Sequence, residues 1–439
     1  MLKTKQKCED EWYLLIINKP VSNTGFFVWK TMKFKEYLLE QKNTHMEHAE
    51  DDVLNHGVEG TRNSINALRA VRDMLAGNSE KKVNVTVKWD GAPAVFAGQD
   101  PSDEKFFVAK KGVFNKNPKV YKTFAEIDED TSGDLADKLK ACLMWLPKIG
   151  IKGVIQGDLL FTQSDLKTAT IEGEEYVTFH PNTIVYAIPA KSELAREIKS
   201  AKIGIVWHTF YEGDSFETMS AVFGKDILST LKKDKNVWMT DVNYKDVSGK
   251  ATMTKEETDK VTAILSEAGR IFQKLDATIL NAIKDDEELL MRIKTFNNTK
   301  IKARLQITDV RKHVQELIDY IQEVYTKEEE SKKSEKGKLS VTLKRNRILR
   351  FFSAKNKTAL ENIFTMMNLL AEAKLILIKK LDEVQSLRTF LLTKNGYEVT
   401  GVEGYVAIDK LKGNAVKLVD RLQFSYANFS PDVIKGWQR

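Results

Sequence analysis

The residues of this sequence best suited to chemistry lie in the stretch 83–98, VNVTVKWDGAPAVFAG. Valines alternate with polar residues from Val83 to Lys88, which is the period of a half-buried β-strand. This register places Lys88 on the polar face at the strand end, where Asp90 and Gly91 favour a turn. A lysine amine beside a carboxylate, with a glycine that lets a ligand approach the backbone, is a candidate covalent nucleophile. The competing interpretation is a surface lysine next to an ordinary hairpin turn.

Further charged side chains fall on the polar faces of later predicted strands. They are Lys110 or Lys111, Asp158, Glu403 and Lys417. One amine nucleophile with two carboxylates and further cations suits displacement at the α-phosphate of a nucleotide. Nearby cations lower the pKa of the nucleophile, while lysine and a divalent metal stabilise the charge that develops on phosphorus. Carboxylates such as Glu403 can hold that metal, through water molecules if it is Mg²⁺.

A second candidate function, nucleic-acid binding, is indicated by residues 344–357, KRNRILRFFSAKNK. Residues 331–357 contain ten Lys or Arg against one acid, Glu335. The expected phosphate contacts are Lys344, Arg345, Arg347 and Arg350. Phe351 and Phe352, interleaved with these cations, would stack on bases. The alternative is a solvated basic helix with both phenylalanines in the core.

Three histidines, His45, His48 and His56, lie among acidic residues in a predicted helix. His45 and His48 are three residues apart, a spacing that metal sites can use. Because neither a cysteine nor a strict ligand motif accompanies them, a solvated acidic helix face is the favoured interpretation.

The elements that must position these residues divide the chain into unlike parts. Residues 1–31 form a predicted N-terminal extension, after which a better helical beginning starts at Met32. A discontinuous α+β domain with mostly antiparallel sheets is predicted over residues 32–214 and 395–439. We expect it to be helical to residue 77, with strands from 83 to 211 and a helix over 134–146. Residues 215–394 predict an all-α insertion. Its expected helices cover 255–283, 287–325 and 357–392, with an exposed polar loop over 326–339.

Composition narrows the class of protein. The 439 residues are 42% hydrophobic and 30% charged, as in soluble globular proteins. No apolar run approaches the roughly 18 residues of a membrane span, so a cytoplasmic protein without a membrane partner is expected. Two cysteines favour a reducing compartment, and the net charge of +7 favours a polyanionic partner. The sequence has no GxxxxGK[ST] or GxGxxG motif, which argues against a glycine-rich phosphate loop.

The sequence resembles the covalent nucleotidyltransferase superfamily of polynucleotide ligases and mRNA capping enzymes. The resembling motifs, in order, are KWDG at 88–91, AKKG at 109–112, GDLLF at 157–161, IVWHTF at 205–210, VEGYVA at 402–407 and AVKLV at 415–419. The resemblance covers about residues 80–212 and 398–425. More loosely, the chain from Met32 is similar to proteins of large tailed phages that carry the same motifs, which would place it in the host cytoplasm.

This resemblance implies an ATP-grasp-like nucleotidyltransferase (adenylation) domain that uses ATP and Mg²⁺. Lys88 would take AMP from ATP as a lysyl phosphoramidate, and Lys417 would contact the α-phosphate. Asp158 would contact the ribose and, with Glu403, the metal, while Phe161 would stack near the adenine. The remaining residues assigned to the nucleotide site are Thr86, Asp90, Gly91, Lys110 and Lys111.

Three departures from the family pattern stand out. Asp158 replaces the usual Glu and is one methylene shorter. Val419 replaces the second lysine of the last motif, with Arg421 the nearest substitute. The predicted helical insertion also separates motifs that the family keeps closer together.

The leading functional hypothesis is an ATP-dependent RNA ligase that joins 3′-OH to 5′-phosphate ends, with RNA or DNA ends as partners. RNA is favoured because 22 residues follow Lys417, too few for the OB domain of DNA ligases and capping enzymes. One alternative is a protein that keeps the nucleotidyltransferase scaffold for a binding or structural role without end joining. Another is a nucleotidyltransferase that modifies something other than a polynucleotide end.

Overall fold

The computed structural model describes residues 48–77, 83–222, 226–242, 253–383, 387–409 and 415–438. Its α-helices are α1 (Asp52–Leu75), α2 (Phe124–Asp130), α3 (Gly133–Trp145), α4 (Glu193–Ser200), α5 (Lys255–Lys274), α6 (Ala277–Asp285), α7 (Glu287–Lys302), α8 (Val310–Glu330), α9 (Glu335–Arg350), α10 (Ala354–Asp382) and α11 (Arg421–Phe429). The predicted N-terminal extension, residues 1–31, lies outside the described residues, as does His45.

The strands form three sheets. In chain order they are β1 (Val83–Lys88), β2 (Ala94–Gln99), β3 (Phe106–Ala109), β4 (Val154–Thr162), β5 (Lys167–Ile171), β6 (Glu174–Phe179), β7 (Ile184–Pro189), β8 (Ile203–Glu212), β9 (Ser220–Val222), β10 (Val237–Asp241), β11 (Arg388–Thr393), β12 (Gly396–Val399), β13 (Gly404–Asp409) and β14 (Ala415–Leu418).

The smallest sheet has the order β1–β13–β14 and joins segments from both ends of the described chain. A second has the order β10–β8–β4–β2–β3, with β9 beside β8, and a third has the order β12–β11–β7–β6–β5. Neighbouring strands are antiparallel except for β8 and β10. The predicted fold class, α+β with mostly antiparallel sheets and a large helical region, is therefore confirmed.

The β1–β13–β14 sheet packs one face on the helices. The side chains of that face are buried, namely Val85, Val87, Tyr405, Ala407, Val416 and Leu418. They share one hydrophobic core with α1 and with helices from α5 to α10, through residues such as Leu68, Leu265 and Leu370. Burying a Val or Leu side chain contributes about 1.5–3 kcal/mol to the free energy of unfolding. Because the apolar face is held against the helices in this way, the opposite face of the sheet is the one available for a site.

The other two sheets have cores of their own. Strands β4 and β8 pack Ile155 and Trp207 against α3, whose Leu139 is fully buried. On the opposite side of the same strands, Phe161 packs with Phe179 of β6.

Strands also occur where the sequence predicted only helices. β9, β10 and β11 all fall within 215–394, so the expectation that strands are absent there is wrong. β11, RTFLLT, had been included in the predicted helix 357–392, whereas helix α10 ends at Asp382. A short apolar run does not by itself distinguish a strand from a buried helix segment, and pairing with β7 decides this one.

The predicted polar loop over 326–339 is also wrong, because most of it is helical. Helix α8 continues to Glu330, and an ion pair between Lys327 and Glu323 one turn earlier favours that continuation. Ser334 caps the next helix, α9, by accepting a hydrogen bond from the backbone N–H of Gly337. The connection is therefore confined to residues 331–334.

Candidate functional site

Strand β1 positions Lys88, and its neighbours in the three-stranded sheet position Lys417. Lys88 pairs in register with Gly404, and Thr86 pairs with Val406, which pairs in turn with Lys417. Because side chains alternate along a strand, Thr86, Lys88 and Lys417 lie on the face opposite the helical core. Val406 lies on this same face, between Thr86 and Lys417. Tyr405 and Ala407 are the β13 residues that pack on the helices.

Glu403 immediately precedes β13 and forms an ion pair with Lys88, Oε2 to Nζ. The side chain of Glu403 is 9% exposed, and that of Lys88 is 28% exposed. Gly404, between Glu403 and the strand, has φ +149°, and a Cβ there would lie 2.5 Å from Val419. Only glycine fits this position, so the backbone turn that directs Glu403 toward Lys88 depends on it.

The electrostatics of Glu403 are unusual. Burial raises its pKa to about 7, with Asp90 adding to the rise while Lys88 and Lys417 oppose it. The sheet register places Lys417 on the same face as Lys88, two residues further along the strands. Glu403 also borders a cavity of about 20 Å³ together with Thr183 and Gln423, roughly the space of one water molecule.

Asp90 fixes the loop that follows Lys88. Its carboxylate accepts hydrogen bonds from Asn182 Nδ2 at 2.7 Å, from the backbone N–H of Thr183 at 2.6 Å and from that of Ile184 at 2.8 Å. The Thr183 hydroxyl donates a further one at 2.5 Å. With four donors and 4% exposure, Asp90 serves as an anchor between β1 and β7.

Asp158 lies beside the same loop because Gly91 has no side chain. A Cβ on Gly91 would lie 2.6 Å from the Cβ of Asp158 and 3.1 Å from the carbonyl oxygen of Leu159. The Oδ2 atom of Asp158 is 3.6 Å from Nε2 of His208. The predicted acid of the third motif is therefore at the site, with a histidine as its neighbour.

Tyr186 lies beside the loop that carries Asp90, and sequence reasoning missed it. Its hydroxyl accepts a hydrogen bond from the backbone N–H of Asp90 at 2.7 Å, and its ring packs on Trp89 with centroids 5.1 Å apart. Burial, followed by the charges of Asp90, Glu403 and Asp158, raises its pKa well above the usual value. In the sequence, Tyr186 is one more aromatic residue in an apolar strand, so no local pattern marks it.

Lys435, near the end of the chain, was also missed. It is 7% exposed, donates to the carbonyl oxygen of Ala427 and experiences the charge of Asp90. Burial lowers its pKa. Hydrogen bonds from the Gly436 N–H to Asn182 O and from the Ile434 N–H to Leu392 O hold this tail segment in place.

His48 lies next to Lys417, with which it forms an isolated parallel bridge. Burial lowers the pKa of His48 to about 3, and Lys374, Arg421 and Lys417 act in the same direction. Within the described ranges, no group of three or more His, Cys, Asp or Glu side chains could hold a metal.

Three of the predicted nucleotide-binding residues make other contacts. Lys110 forms an ion pair with Asp130 at 2.9 Å. The Thr86 hydroxyl donates to the carbonyl oxygen of Val406 at 3.4 Å. Phe161 is fully buried, and its ring packs on Phe179 and Trp238. Protein side chains cover the ring, so the assignment of Phe161 to adenine stacking is corrected to a core role.

Lys111 and Gly91 remain compatible with their assignments. Lys111 is exposed at the start of a short 3₁₀ turn, Lys111–Phe114, directly after β3.

The predicted nucleic-acid-binding residues lie on α9, where acids engage two of them. Arg345 pairs with Glu329 at 3.0 Å, and Arg347 pairs with both Asp286 and Glu288. Lys344 and Arg350 are exposed. Phe352 is 8% exposed and belongs to the helical core, whereas Phe351 is half-buried against it, so the alternative is confirmed for Phe352 and only in part for Phe351.

In a comparison with protein-family models, residues 43–432 match a family of unknown function (DUF6267). The chain belongs to the DUF6267 family. Lys88, Asp158, Glu403 and Lys417 all fall within the matched part of this DUF6267 chain. Comparisons with curated proteins and with solved structures found no match. None of the described helices of this DUF6267 chain is long and apolar enough to cross a membrane.

Proposed function

We propose that this chain is an ATP-dependent polynucleotide ligase, with RNA ends as the leading substrate and DNA ends as the alternative, and that its adenylation domain is the ATP-grasp-like domain of the covalent nucleotidyltransferase superfamily. The proposal rests chiefly on the Lys88 amine facing the buried Glu403, with Lys417 on the same face of the same sheet. A carboxylate buried beside the amine at a strand end can accept a proton from that amine. A lysine that only covers the surface needs no such partner.

In the first step, Lys88 Nζ attacks the α-phosphorus of ATP. A nitrogen–phosphorus bond forms, and the bond from that phosphorus to the bridging oxygen of pyrophosphate breaks. Glu403 takes the proton from the amine, because a carboxyl whose pKa is about 7 can hold a proton at neutral pH. Lys417 stabilises the negative charge on the α-phosphate oxygens.

The other site residues orient the nucleotide. Asp90 keeps the 88–91 loop in place through its four hydrogen bonds, so that Lys88 is presented at the strand end. Asp158 accepts a hydrogen bond from a ribose hydroxyl, and Lys111 contacts the phosphates of the leaving pyrophosphate. Asp158 would hold Mg²⁺, which would neutralise phosphate charge, with water and phosphate as its other ligands. Glu403, which the sequence had also assigned to the metal, is engaged by Lys88 instead.

Two further steps complete end joining. The 5′-phosphate oxygen of a polynucleotide attacks the α-phosphorus of lysyl-AMP, and the Lys88 amine leaves and regains its proton. The 3′-OH of the second end then attacks the activated 5′-phosphate, a phosphodiester forms and AMP leaves. The choice of a polynucleotide as acceptor is supported by the order of the motifs.

Incubation with α-³²P-labelled ATP and Mg²⁺ tests the proposal. The wild-type chain is expected to retain label after denaturation, and Lys88→Ala is expected to lose it. Lys105→Ala, which removes an exposed lysine paired with Asp103, is the matched control and keeps the label. Addition of 5′-phosphorylated RNA or DNA then distinguishes a ligase from a transferase with another acceptor. An unlabelled wild-type chain would instead favour the binding or structural role.

A further inference from the structure

The C-terminal end of α7 and helix α11 form an exposed surface of cations and aromatic rings. We call Lys302, Arg304, Tyr426 and Phe429 the basic–aromatic surface. Lys302 Nζ lies 5.4 Å from the centroid of the Phe429 ring, and the Arg304 guanidinium lies 3.6 Å from that of Tyr426. Phe429 is 64% exposed, so most of its ring is accessible beside the two cations.

The two cations of this surface are not engaged by acids. Across the described part of the chain, neither Lys302 nor Arg304 forms an ion pair with a carboxylate, whereas their neighbour Lys300 pairs with Glu316 at 2.6 Å. An arginine stacked on a ring keeps its N–H edge for an anion. Both side chains are therefore available to phosphate, unlike Arg345 and Arg347 of α9.

Helix α11 connects this surface with the Lys88 site. Its residues Gln423 and Ala427 line the small cavity that Glu403 borders. Leu422 lines a second cavity of about 390 Å³ together with Ile301 and Leu305, which belong to α7 and the segment after it. Ala427 lies between Tyr426 and Phe429 in the sequence, so α11 carries both part of the lining of the cavity beside Glu403 and the two rings of the basic–aromatic surface.

We propose that a single-stranded polynucleotide binds along the basic–aromatic surface on its way to the Lys88 site, a proposal that rests on the proposed function. Lys302 and Arg304 contact consecutive phosphates, and a base stacks on the exposed face of Phe429. Cations that track a backbone, interleaved with rings on which bases stack, are the features by which proteins hold single strands. A duplex keeps its bases stacked inside and cannot use the Phe429 ring in this way.

Fluorescence anisotropy with labelled 20-mers of RNA and of DNA tests this surface, in the absence of ATP. Lys302→Ala/Arg304→Ala is expected to raise the Kd for the single strand at least tenfold at low salt. It should also reduce the slope of log K against log salt by roughly 1.4, as expected for two phosphate contacts to a single strand. Phe429→Leu keeps an apolar side chain without the aromatic face and is expected to raise the Kd about fivefold or more, with the salt slope unchanged.

The matched control is Arg196→Ala/Lys199→Ala on α4, which removes the same charge from an exposed helix that belongs to neither proposed surface. It is expected to change the Kd by less than twofold, and thermal melting verifies that every variant is folded. The proposal is overturned if this control loses affinity while the surface variants do not, if a duplex binds as tightly as the single strand, or if neither oligonucleotide binds. Because the assay contains no ATP, its result is independent of whether Lys88 accepts AMP.

Discussion

Lys88 ends strand β1, Glu403 precedes the antiparallel strand β13, and their side chains form an ion pair at the edge of the three-stranded sheet. The pair is asymmetric, because the carboxylate is 9% exposed and the amine 28%. Burial costs Glu403 more solvation than the nearby amines restore, so its pKa rises to about 7 despite their charge. The proposed chemistry and two of the predictions below follow from this relationship.

The first prediction concerns the pH dependence of lysyl-AMP formation. Glu403 can accept the Lys88 proton only when deprotonated, so the rate should rise with pH through about 7 and level off above it. Glu403→Gln should lower the rate by about 10²–10⁴ and remove the inflection near pH 7. Rapid-quench measurement of labelled protein across pH 5–9 checks this.

Asp382→Asn is the control for this prediction. Burial raises the pKa of Asp382 to about 6, and its carboxylate accepts a hydrogen bond from the Tyr405 hydroxyl at 2.7 Å. This variant should retain the inflection near pH 7. A profile that is unchanged in Glu403→Gln would assign proton transfer to another group.

The second prediction concerns stability against pH. The pKa of Glu403 is raised from 4.5 to about 7, so between these values the native state binds more protons than the unfolded state. Its contribution to the free energy of unfolding is fully present below pH 4.5 and is lost as pH rises through 7, a change on the order of 3 kcal/mol. Urea unfolding of wild type and Glu403→Gln is measured at pH 5 and pH 8. The free energy of unfolding of the wild type, relative to that of the variant, should be lower at pH 8 than at pH 5. A difference that is the same at both pH values would contradict the prediction.

The third prediction concerns the ion pair between Glu50 and Lys374, which is the most buried in the described structure. Lys374 Nζ lies 2.6 and 2.7 Å from the two carboxylate oxygens of Glu50, and the side chains are 2% and 7% exposed. Glu50→Ala leaves an uncompensated buried ammonium and should cost about 3–5 kcal/mol in the free energy of unfolding. Glu50→Leu/Lys374→Met removes both charges and should cost less.

Glu323→Ala provides the comparison for this pair. Glu323 pairs with Lys327, but both side chains are more than half exposed, so the change should stay within about 0.5 kcal/mol. Chemical denaturation of all three variants gives the free energies. If the double variant is no more stable than Glu50→Ala, burial of the unpaired charge is not the cause of the loss.

The fourth prediction separates the two roles considered for Phe161. If Phe161 is a core residue packed on Phe179 and Trp238, Phe161→Ala should lower the free energy of unfolding by about 3–5 kcal/mol. Phe161→Leu should be milder and should retain the KM for ATP in the labelling assay. A stable Phe161→Leu variant with a strongly raised KM would return this ring to the nucleotide site.

Prediction from the sequence succeeded where apolar and polar residues repeat with the period of a strand or a helix. The alternation of Val85 and Val87 with Thr86 and Lys88 gave strand β1 and the outward face of Lys88, as the structure has them. The helix predicted over 134–146 is α3, Gly133–Trp145, with Leu139 on its buried face. It failed for β11, because three consecutive apolar residues, Phe390 to Leu392, fit a helix and a strand equally well.

The sequence by itself determined the α+β composition, the strand that carries Lys88 and the residue types from which the candidate site is built. The tertiary structure decided which of those residues meet: Glu403 contacts Lys88, Asp130 engages Lys110, and Phe161 lies in a core. It also added Tyr186 and Lys435, which no local pattern marks. The physical reason is that periodicity specifies on which face of its own element a side chain lies. Which other element packs against that face is selected by long-range strand pairing and by the burial of apolar surface.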